Sequence, residues 1–191
     1  MSALEEWPQV LKKLALDCVP MAVDIAAYAA VEGNEAYAYL FSRNYSAIDG
    51  KTLAGVASSV HGLSGWKRLQ VSVIRLESVF DSAGASRGQA APIHYVVETD
   101  VVPEHEADLN AWYDTEHMPG LSACPGSVRA RRFRNPDGSP RYHSCYDLAS
   151  TETLGSEPWL AVRHTEWSSR VRPHFRNTNR TMFRRLFQIA P

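Results

Sequence analysis

The stretch HEADLNAWYDTEHMPGLSACPGSVRARRFR, residues 105–134, carries the clearest secondary-structure pattern in the chain. Its apolar and aromatic residues recur at the spacing of one helix face, so a helix is predicted over 103–117. The residues of that face are Leu109, Trp112, Tyr113 and His117. Pro119 and Gly120 predict the end of the helix. The Arg-rich residues 127–135 that follow are predicted to form a strand.

The rest of the second half extends this pattern to a complete fold. Alternation at 92–102 predicts a strand before the helix, and PDGSP at 136–140 is typical of a turn between two strands. The remaining predicted elements are a strand at 141–150, an irregular helix at 151–175 and a last strand at 179–190. The order β-α-β-β-α-β is that of the ferredoxin-like fold.

The first half resembles the second half at a constant offset of 105 residues, which indicates an internal repeat. The identical pairs are Leu4 and Leu109, Trp7 and Trp112, Leu16 and Leu121, Pro20 and Pro125, Val23 and Val128, Gly33 and Gly138, and Tyr37 and Tyr142. The corresponding elements are a helix at 3–18, strands at 21–31 and 35–44, a helix at 49–64 and a strand at 68–80. The first repeat therefore lacks an opening strand.

Two such units define the predicted fold class and domains. The class is α+β, with tandem ferredoxin-like βαββαβ units of which the first is incomplete. We predict a degenerate repeat at 1–80, a Gly- and Ala-rich linker at 81–91 and a complete repeat at 92–191. Each sheet covers one face with its own helices, so we expect the two sheets to pack face to face as an intramolecular pseudo-dimer.

The composition argues against several classes of protein. Net charge is −1, and ten acidic residues from Val101 onward dilute the twelve arginines between Arg129 and Arg185, so nucleic-acid binding is not expected. The three cysteines show neither metal-binding nor pairing patterns, and the acidic N-terminus does not resemble a signal peptide. No apolar run is long enough to span a bilayer. We therefore expect a soluble cytoplasmic protein.

With these elements in place, residues 105–134 resemble the EthD-like members of the dimeric α+β-barrel superfamily. The shared pattern is a helix with Trp-Tyr and a His-x-Pro ending, then Pro-Gly and an Arg-rich strand. The matching residues are Trp112, Tyr113, His117, Pro119, Pro125, Gly126 and Arg131. The resemblance extends over 92–191, and reaches 1–80 only through the internal repeat. It implies an intramolecular dimeric α+β barrel with a pocket between helices and sheet. Similar proteins include cofactor-free monooxygenases, lactone isomerases, polyketide cyclases and haem enzymes.

Three residues of the predicted helix are candidates for catalysis. His117 lies on the inward face, where a neutral imidazole can take a proton from an acidic C–H or O–H of a bound molecule. Asp114 can reach the ring and fix its tautomer, and Tyr113 can hydrogen-bond an oxygen of the ligand. Such a set suits isomerisation or cyclisation of an enolisable aromatic or polyketide-like molecule. Alternatively, His117 hydrogen-bonds a backbone carbonyl and helps to end the helix.

Four residues are candidates for substrate binding. His94 and Tyr95 lie on opposite faces of the first strand, and one of these faces is expected to line the pocket. Trp112 can stack on an aromatic ligand, although the identical Trp7 favours a role in the core. Arg131 can hold a carboxylate, or can form cross-strand ion pairs, which we favour. It belongs to a set formed by Arg129, Arg131, Arg132, Arg134, Arg141, Arg184 and Arg185.

Three functions remain open from the sequence. The first is a cofactor-free isomerase, cyclase or monooxygenase acting on a small apolar or aromatic compound, with His117 as general base. The second is a non-catalytic accessory or binding protein of a catabolic pathway. The third is a haem protein with His117 or His164 as axial ligand. No metal site is predicted, because no His-Glu-x-x-His motif is present. Sheet edges left by the missing strand allow a homodimer.

Overall fold

The computed structural model describes residues 3–62 and 70–190, with the side chains of 3–6 excepted. Within these residues the helices are α1 (Ala3–Cys18), α2 (Gly50–His61), α3 (Glu106–Trp112), α4 (Met118–Ser122), α5 (Glu157–Arg163) and α6 (Glu166–Val171). The strands are β1 (Ala22–Ala30), β2 (Ala36–Ser42), β3 (Glu77–Ala83), β4 (Ile93–Val101), β5 (Ser127–Arg134), β6 (Tyr142–Leu148) and β7 (Phe175–Ile189). The fold is α+β, with a seven-stranded antiparallel sheet in the order β2-β1-β7-β4-β6-β5-β3.

The chain divides into two compact units. The first contains Met1–Ala29, Glu35–Arg75 and Arg185–Pro191, and the second contains Ala30–Asn34 and Leu76–Arg184. Strand β7 is 15 residues long, and its last residues belong to the first unit. Strand β3, from the first half of the sequence, belongs to the second unit, where it pairs with β5. Each unit therefore takes strand residues from the other half of the sequence.

The second unit has the β-α-β-β-α-β order predicted from the sequence. Strand β4 pairs with β6 on one side and with β7 on the other, and β6 pairs with β5. Strand β6 is buried along its whole length, because it is central in this part of the sheet and has neighbours on both sides. One hydrophobic cluster joins residues of the helices to alternate residues of the strands. Its large aromatic members are Tyr95, Trp112, Tyr113, Tyr142, Tyr146 and Trp159.

The helix predicted over 103–117 is longer and less regular than the sequence pattern indicates. A π-helical turn, Tyr113–His117, separates α3 from α4, and the helical segment continues to Ser122. The prediction that Pro119 and Gly120 end the helix is therefore wrong. Proline is tolerated in the first turn of a helix, which is where Pro119 lies in α4. Gly120 allows a close approach, since a Cβ atom there would lie 2.8 Å from a methyl carbon of Val162 on α5.

The first unit contains the helix, hairpin and second helix that the sequence predicts. Strand β1 pairs antiparallel with β2, and the side chain of Asp49 caps α2 by accepting a hydrogen bond from the Thr52 backbone N–H. A separate hydrophobic cluster forms the core of this unit. Its buried members are Trp7, Leu11, Leu14, Ala15, Val19, Ile25, Ala27, Val56 and Val60.

The last strand of the first repeat differs from the prediction of 68–80. Residues 63–69 lie outside the described residues, and 70–76 have no regular secondary structure, although Val71 and Val73 pack against the first core. Strand β3 begins at Glu77 and continues through 81–83, which were predicted as linker. The strand extends further because its small polar residues pair with the Arg-rich strand β5, where acidic side chains of β3 meet arginines.

One backbone feature occurs at corresponding positions of the two halves. Gly126, before β5, has a φ of +87°, and Met21, at the same place before β1, has a φ of +52°. The two positions are separated by the offset of 105. A left-handed residue at the same point of both connections agrees with the internal repeat, which stays a prediction.

Candidate active site

A cavity in the second unit lies between the helices and the inner face of the sheet. Its lining residues are Tyr95, Val97, Trp112, Tyr113, His117, Leu121, Tyr146, Trp159, Arg163, Arg172, Phe175 and Arg180. The space that a water-sized sphere can occupy inside is about 30 Å³, which suffices for one or two water molecules. The space between the walls, which includes open solvent at the mouth, is about 360 Å³.

His117 lies in the wall of this cavity and is 7% exposed. Its ring stacks on Trp112 at a centroid distance of 4.1 Å and meets the edge of Tyr113 at 5.4 Å. Within the described part of the chain, neither ring nitrogen has a hydrogen-bond partner, and Nδ1 is fully buried. His117 therefore forms no hydrogen bond with a backbone carbonyl. The alternative prediction, that such a bond helps to end the helix, is wrong.

The surroundings of His117 keep its imidazole neutral. Burial, followed by the positive charges of Arg172, Arg163 and Arg132, lowers the pKa of His117 from 6.5 to about 3. Both effects disfavour the imidazolium, because the ring leaves water and the nearest charged groups carry the same sign. A neutral ring can accept a proton from a bound molecule.

The π turn places the helix residues differently from an α-helix. Tyr113 is 2% exposed and lines the cavity beside His117. Asp114 has a half-exposed side chain 3.7 Å from Arg132, so the prediction that it holds the His117 ring is wrong. A π turn bonds residue i to residue i+5, which widens the turn and changes which side chains meet. The prediction for Asp114 was based on the residue spacing of a regular α-helix.

Trp112 is held in place by a hydrogen-bonded bridge that the sequence does not reveal. Its indole Nε1 donates to Glu116 Oε1 at 3.0 Å, and the hydroxyl of Thr165 donates to the same oxygen at 2.6 Å. Thr165 also caps α6, accepting a hydrogen bond from Ser168 N. This bridge connects the start of α6 to the ring on which His117 stacks.

The sheet contributes the face of β4 that carries Tyr95 and Val97. Tyr95 stacks on Tyr146 at a centroid distance of 6.2 Å, and burial raises the pKa of Tyr95. Arg180 on β7 lies opposite Val97 and lines the same cavity. Trp159 on α5 completes this wall, and its buried indole N–H has no partner among the described residues.

His94 and Arg131 lie elsewhere and do not line the cavity. His94 Nδ1 is 2.9 Å from one oxygen of Asp147, and Arg131 donates to the other oxygen at 3.0 Å. All three residues are buried. The side chains of residues 94 and 95 point to opposite faces of β4. Because Tyr95 lines the cavity, His94 lies on the face that points away from it. His94 and Arg131 thus belong to a buried network around Asp147 rather than to the lining of the cavity.

The arginines of the cavity are not those that the sequence singled out. Arg163, Arg172 and Arg180 come from α5, from the turn after α6 and from β7. The Arg-rich strand β5 instead forms ion pairs, such as Arg129 with Asp81 and Arg134 with Glu77. No local pattern groups the three cavity arginines, because they meet only through the fold.

Residues 3–62 and 70–190 contain neither a metal-ligand cluster nor a membrane-spanning helix. No cluster there holds three or more His, Cys, Asp or Glu side chains in positions to bind a metal ion. No helix there combines the length and the apolarity needed to cross a lipid bilayer.

Comparisons with known proteins identify the fold. No family model and no curated protein matches the sequence. A proposed monooxygenase from Lactobacillus acidophilus NCFM matches with a TM-score of 0.65 at 13% identity, covering 98% of this chain and 91% of that chain. A proposed monooxygenase from Fusobacterium nucleatum matches with a TM-score of 0.63 at 8% identity, covering 97% and 87%.

An anthrone oxidase-like protein also matches, with a TM-score of 0.57 at 12% identity, covering 98% of this chain and 86% of that chain. At such low identity the likeness shows the fold alone.

Proposed function

We propose that this protein is a small-molecule enzyme in which His117 acts as general base on an enolisable aromatic or polyketide-like compound. The observation that carries the proposal is the unpartnered, neutral imidazole of His117 in the wall of a cavity. Buried polar groups are almost always hydrogen-bonded. A ring nitrogen without a protein partner beside a void is therefore well placed to bond a guest molecule.

The proposed chemistry is a proton transfer that the cavity residues can support. A ring nitrogen of His117 accepts a proton from a carbon next to a carbonyl group, and the electron pair moves to the oxygen as an enolate. The hydroxyl groups of Tyr95 and Tyr113 and the indole N–H of Trp159 are donors that can stabilise this oxygen. Return of the proton from His117 to another carbon completes an isomerisation. In a cyclisation, the enolate carbon attacks a second carbonyl carbon, and the alkoxide that forms takes the proton back from His117.

The structural likenesses support this class of function. Two similar structures are proposed monooxygenases and a third is an anthrone oxidase-like protein. An anthrone is an aromatic ketone with an acidic methylene group, so its oxidation can begin with the same proton transfer. Membership of the EthD-like family, catalysis without a cofactor and the formation of a homodimer through open sheet edges also belong to this proposal.

Two other functions fit the cavity less well. Haem would need far more room than an aromatic compound of one to three rings, and the ring of His117 is already stacked on Trp112, so the residues present do not fit haem. A purely apolar binding protein would not need the three arginines or the unpartnered indole N–H. A non-catalytic binding role remains the second candidate, because the cavity supports binding whether or not a proton is transferred.

Proton exchange tests the proposal directly. Phenylpyruvate and anthrone both carry acidic C–H groups next to an aromatic ring, and their exchange with D₂O can be followed by NMR. We expect the protein to accelerate exchange on at least one of them, and His117→Gln to reduce this acceleration by about 10²- to 10⁴-fold. Such a loss is the usual range for removal of a general base.

A matched variant separates this effect from a general loss of structure. His61→Gln replaces an exposed histidine in the last turn of α2, in the first unit, and should leave exchange unchanged. Circular dichroism and thermal unfolding then show whether the His117 variant is folded. Full exchange activity in folded His117→Gln, or no acceleration of either probe by the wild type, would contradict the catalytic proposal.

A further inference from the structure

We propose that the ligand of this cavity is an aromatic carboxylate, whose negative charge is bound by Arg163, Arg172 and Arg180. The inference rests on the proposed function of the same cavity and specifies its substrate class. Aromatic residues form most of the remaining wall, and no acidic residue is found among the described lining residues. An aromatic ring with one anionic substituent matches both parts of this lining.

The three cavity arginines differ from six other arginines of the second unit. Within the described residues, the guanidinium groups of Arg163, Arg172 and Arg180 have no hydrogen bond or ion pair, whereas six other arginines have a carboxylate within 4 Å. Those six are Arg129, Arg131, Arg132, Arg134, Arg141 and Arg170. Acidic residues are thus paired with the four arginines of β5 and with Arg141 and Arg170, whereas none is paired with the three arginines of the cavity.

Burial makes the charge of Arg172 unfavourable without a ligand, whereas Arg180 is exposed at the mouth of the cavity. Arg172 is half-buried, and burial followed by the charge of Arg163 lowers the pKa of Arg172. Like charges around one void repel each other, and a carboxylate between them would remove that repulsion. Arginine is suited to this task because its planar guanidinium binds a carboxylate through two parallel hydrogen bonds.

The ligand would also change the chemistry of His117. The charged groups that act on the ring are Arg132 on β5, Arg163 on α5 and Arg172 after α6, and the other neighbouring polar rings are Trp112 and Tyr113 on its own helix segment. A carboxylate bound to the cavity arginines would add one negative charge beside Arg163 and Arg172 and so weaken the positive field on the ring. It would raise the pKa of His117, so a substrate with this group would make its own base stronger.

Binding of an acid and its neutral ester tests the proposal. Phenylpyruvate and its methyl ester have the same aromatic ring and keto group, and calorimetry measures the affinity of each. We expect the acid to bind the wild type at least about tenfold more tightly, and Arg163→Gln and Arg172→Gln each to remove about tenfold in affinity for the acid alone. Arg176→Gln is the matched control, since Arg176 is exposed on β7 outside the cavity.

A second readout distinguishes charge pairing from a change in shape. NMR titration of the His117 ring should show a higher pKa in Arg172→Gln than in the wild type, and a higher pKa in the wild type when phenylpyruvate is bound. Equal affinities for acid and ester, or arginine variants that weaken both equally, would overturn the carboxylate proposal.

The outcome is independent of the test of His117 as a base. If His117→Gln abolishes proton exchange while acid and ester bind equally, the catalytic proposal stands and the carboxylate proposal fails. If the arginine variants weaken only the acid while His117→Gln keeps full exchange activity, the protein binds aromatic acids and the catalytic proposal fails.

Discussion

The helix of the candidate site and its counterpart in the first unit differ by one π turn. Helix α1 is a regular helix of 16 residues, whereas the segment from Glu106 to Ser122 is interrupted at Tyr113–His117. Both contain a tryptophan at the matching position, and Trp7 and Trp112 are each buried in the core of their own unit. The two helices diverge after this tryptophan.

The burial pattern shows where the divergence lies. The gapless offset of 105 pairs Leu16 with Leu121, yet Leu16 is 64% exposed and Leu121 is 1% exposed. A π turn holds one residue more than an α turn, so from His117 to Leu121 the matching offset becomes 106, and it returns to 105 at Gly126, before β5. By that offset Leu121 matches Ala15 and His117 matches Leu11, and all four residues are buried.

The two helices agree in the residues that pack the core and differ in the residue that can carry chemistry. The first unit has a leucine where the second has an imidazole, on a helix that otherwise serves the same purpose in its core. The polar ring is accommodated in the second unit by a cavity and a π turn, a feature that occurs frequently at functional sites. The difference can be tested with pairs of variants at matching positions.

The largest expected effect concerns the buried ion pairs of β6. Asp147 is shared by His94 and Arg131, whereas the matching residue in β2 is Ser42, in an exposed hydrogen bond. We expect Asp147→Ala to lower the free energy of unfolding by about 3–5 kcal/mol, since it leaves a buried guanidinium without this carboxylate. We expect Ser42→Ala to lower it by only about 1 kcal/mol. Urea unfolding measures both, and similar losses would contradict the distinction.

The next effect is the dependence of stability on pH. The folded pKa of His117 is about 3, below an unfolded value of about 6.5. Between these values the unfolded chain binds a proton that the folded chain does not, so stability is lost as pH falls below about 6.5. Compared with His117→Gln, the wild type should lose about 2 kcal/mol more between about pH 7.5 and pH 5. Urea unfolding at several pH values measures the free energy of unfolding of both proteins. If it falls equally with pH in both, the ring of His117 is not buried in its neutral form.

The smallest effect concerns the left-handed residue before each hairpin. Met21 pays a steric penalty that Gly126 avoids, and its side chain is 61% exposed. Met21→Gly should therefore raise the free energy of unfolding by about 0.5–1 kcal/mol, the left-handed strain less the added chain entropy of glycine.

The reciprocal change has the opposite sign. A Cβ atom at Gly126 would lie 2.2 Å from the hydroxyl oxygen of Thr153, so Gly126→Ala should destabilise. Thermal unfolding of both variants checks the pair. Destabilisation by Met21→Gly would show that the two connections are not equivalent.

Most of the fold could be predicted because its elements have strong local periodicity. The order of helices and strands in both halves follows from apolar spacing and turn residues. The π turn could not be predicted, since Trp112, Tyr113 and His117 fit one face at either helical spacing over so short a distance. The misplacement of Asp114 follows from that turn.

The candidate site was only partly accessible from the sequence. His117, Tyr113 and Trp112 lie within six positions of one another, so one motif reveals that they are neighbours. Arg163, Arg172 and Arg180 are spread over 18 positions in three elements, and only the fold brings them to one cavity. The arginines of β5 were candidates for carboxylate binding because they are numerous in a short stretch. Composition alone cannot show that acidic partners lie on the adjacent strand.

Strand β7 has a consequence for how the chain can be divided. Its final residues include Phe187 and Ile189, which pack against the core of the first unit, while β3 supplies the edge strand beside β5. A fragment ending near residue 80 would lack Phe187 and Ile189. A fragment starting near residue 80 would lack the first residues of β3. Neither half is a self-sufficient module, so in recombination or in a swap with a related protein the two halves must be inherited together.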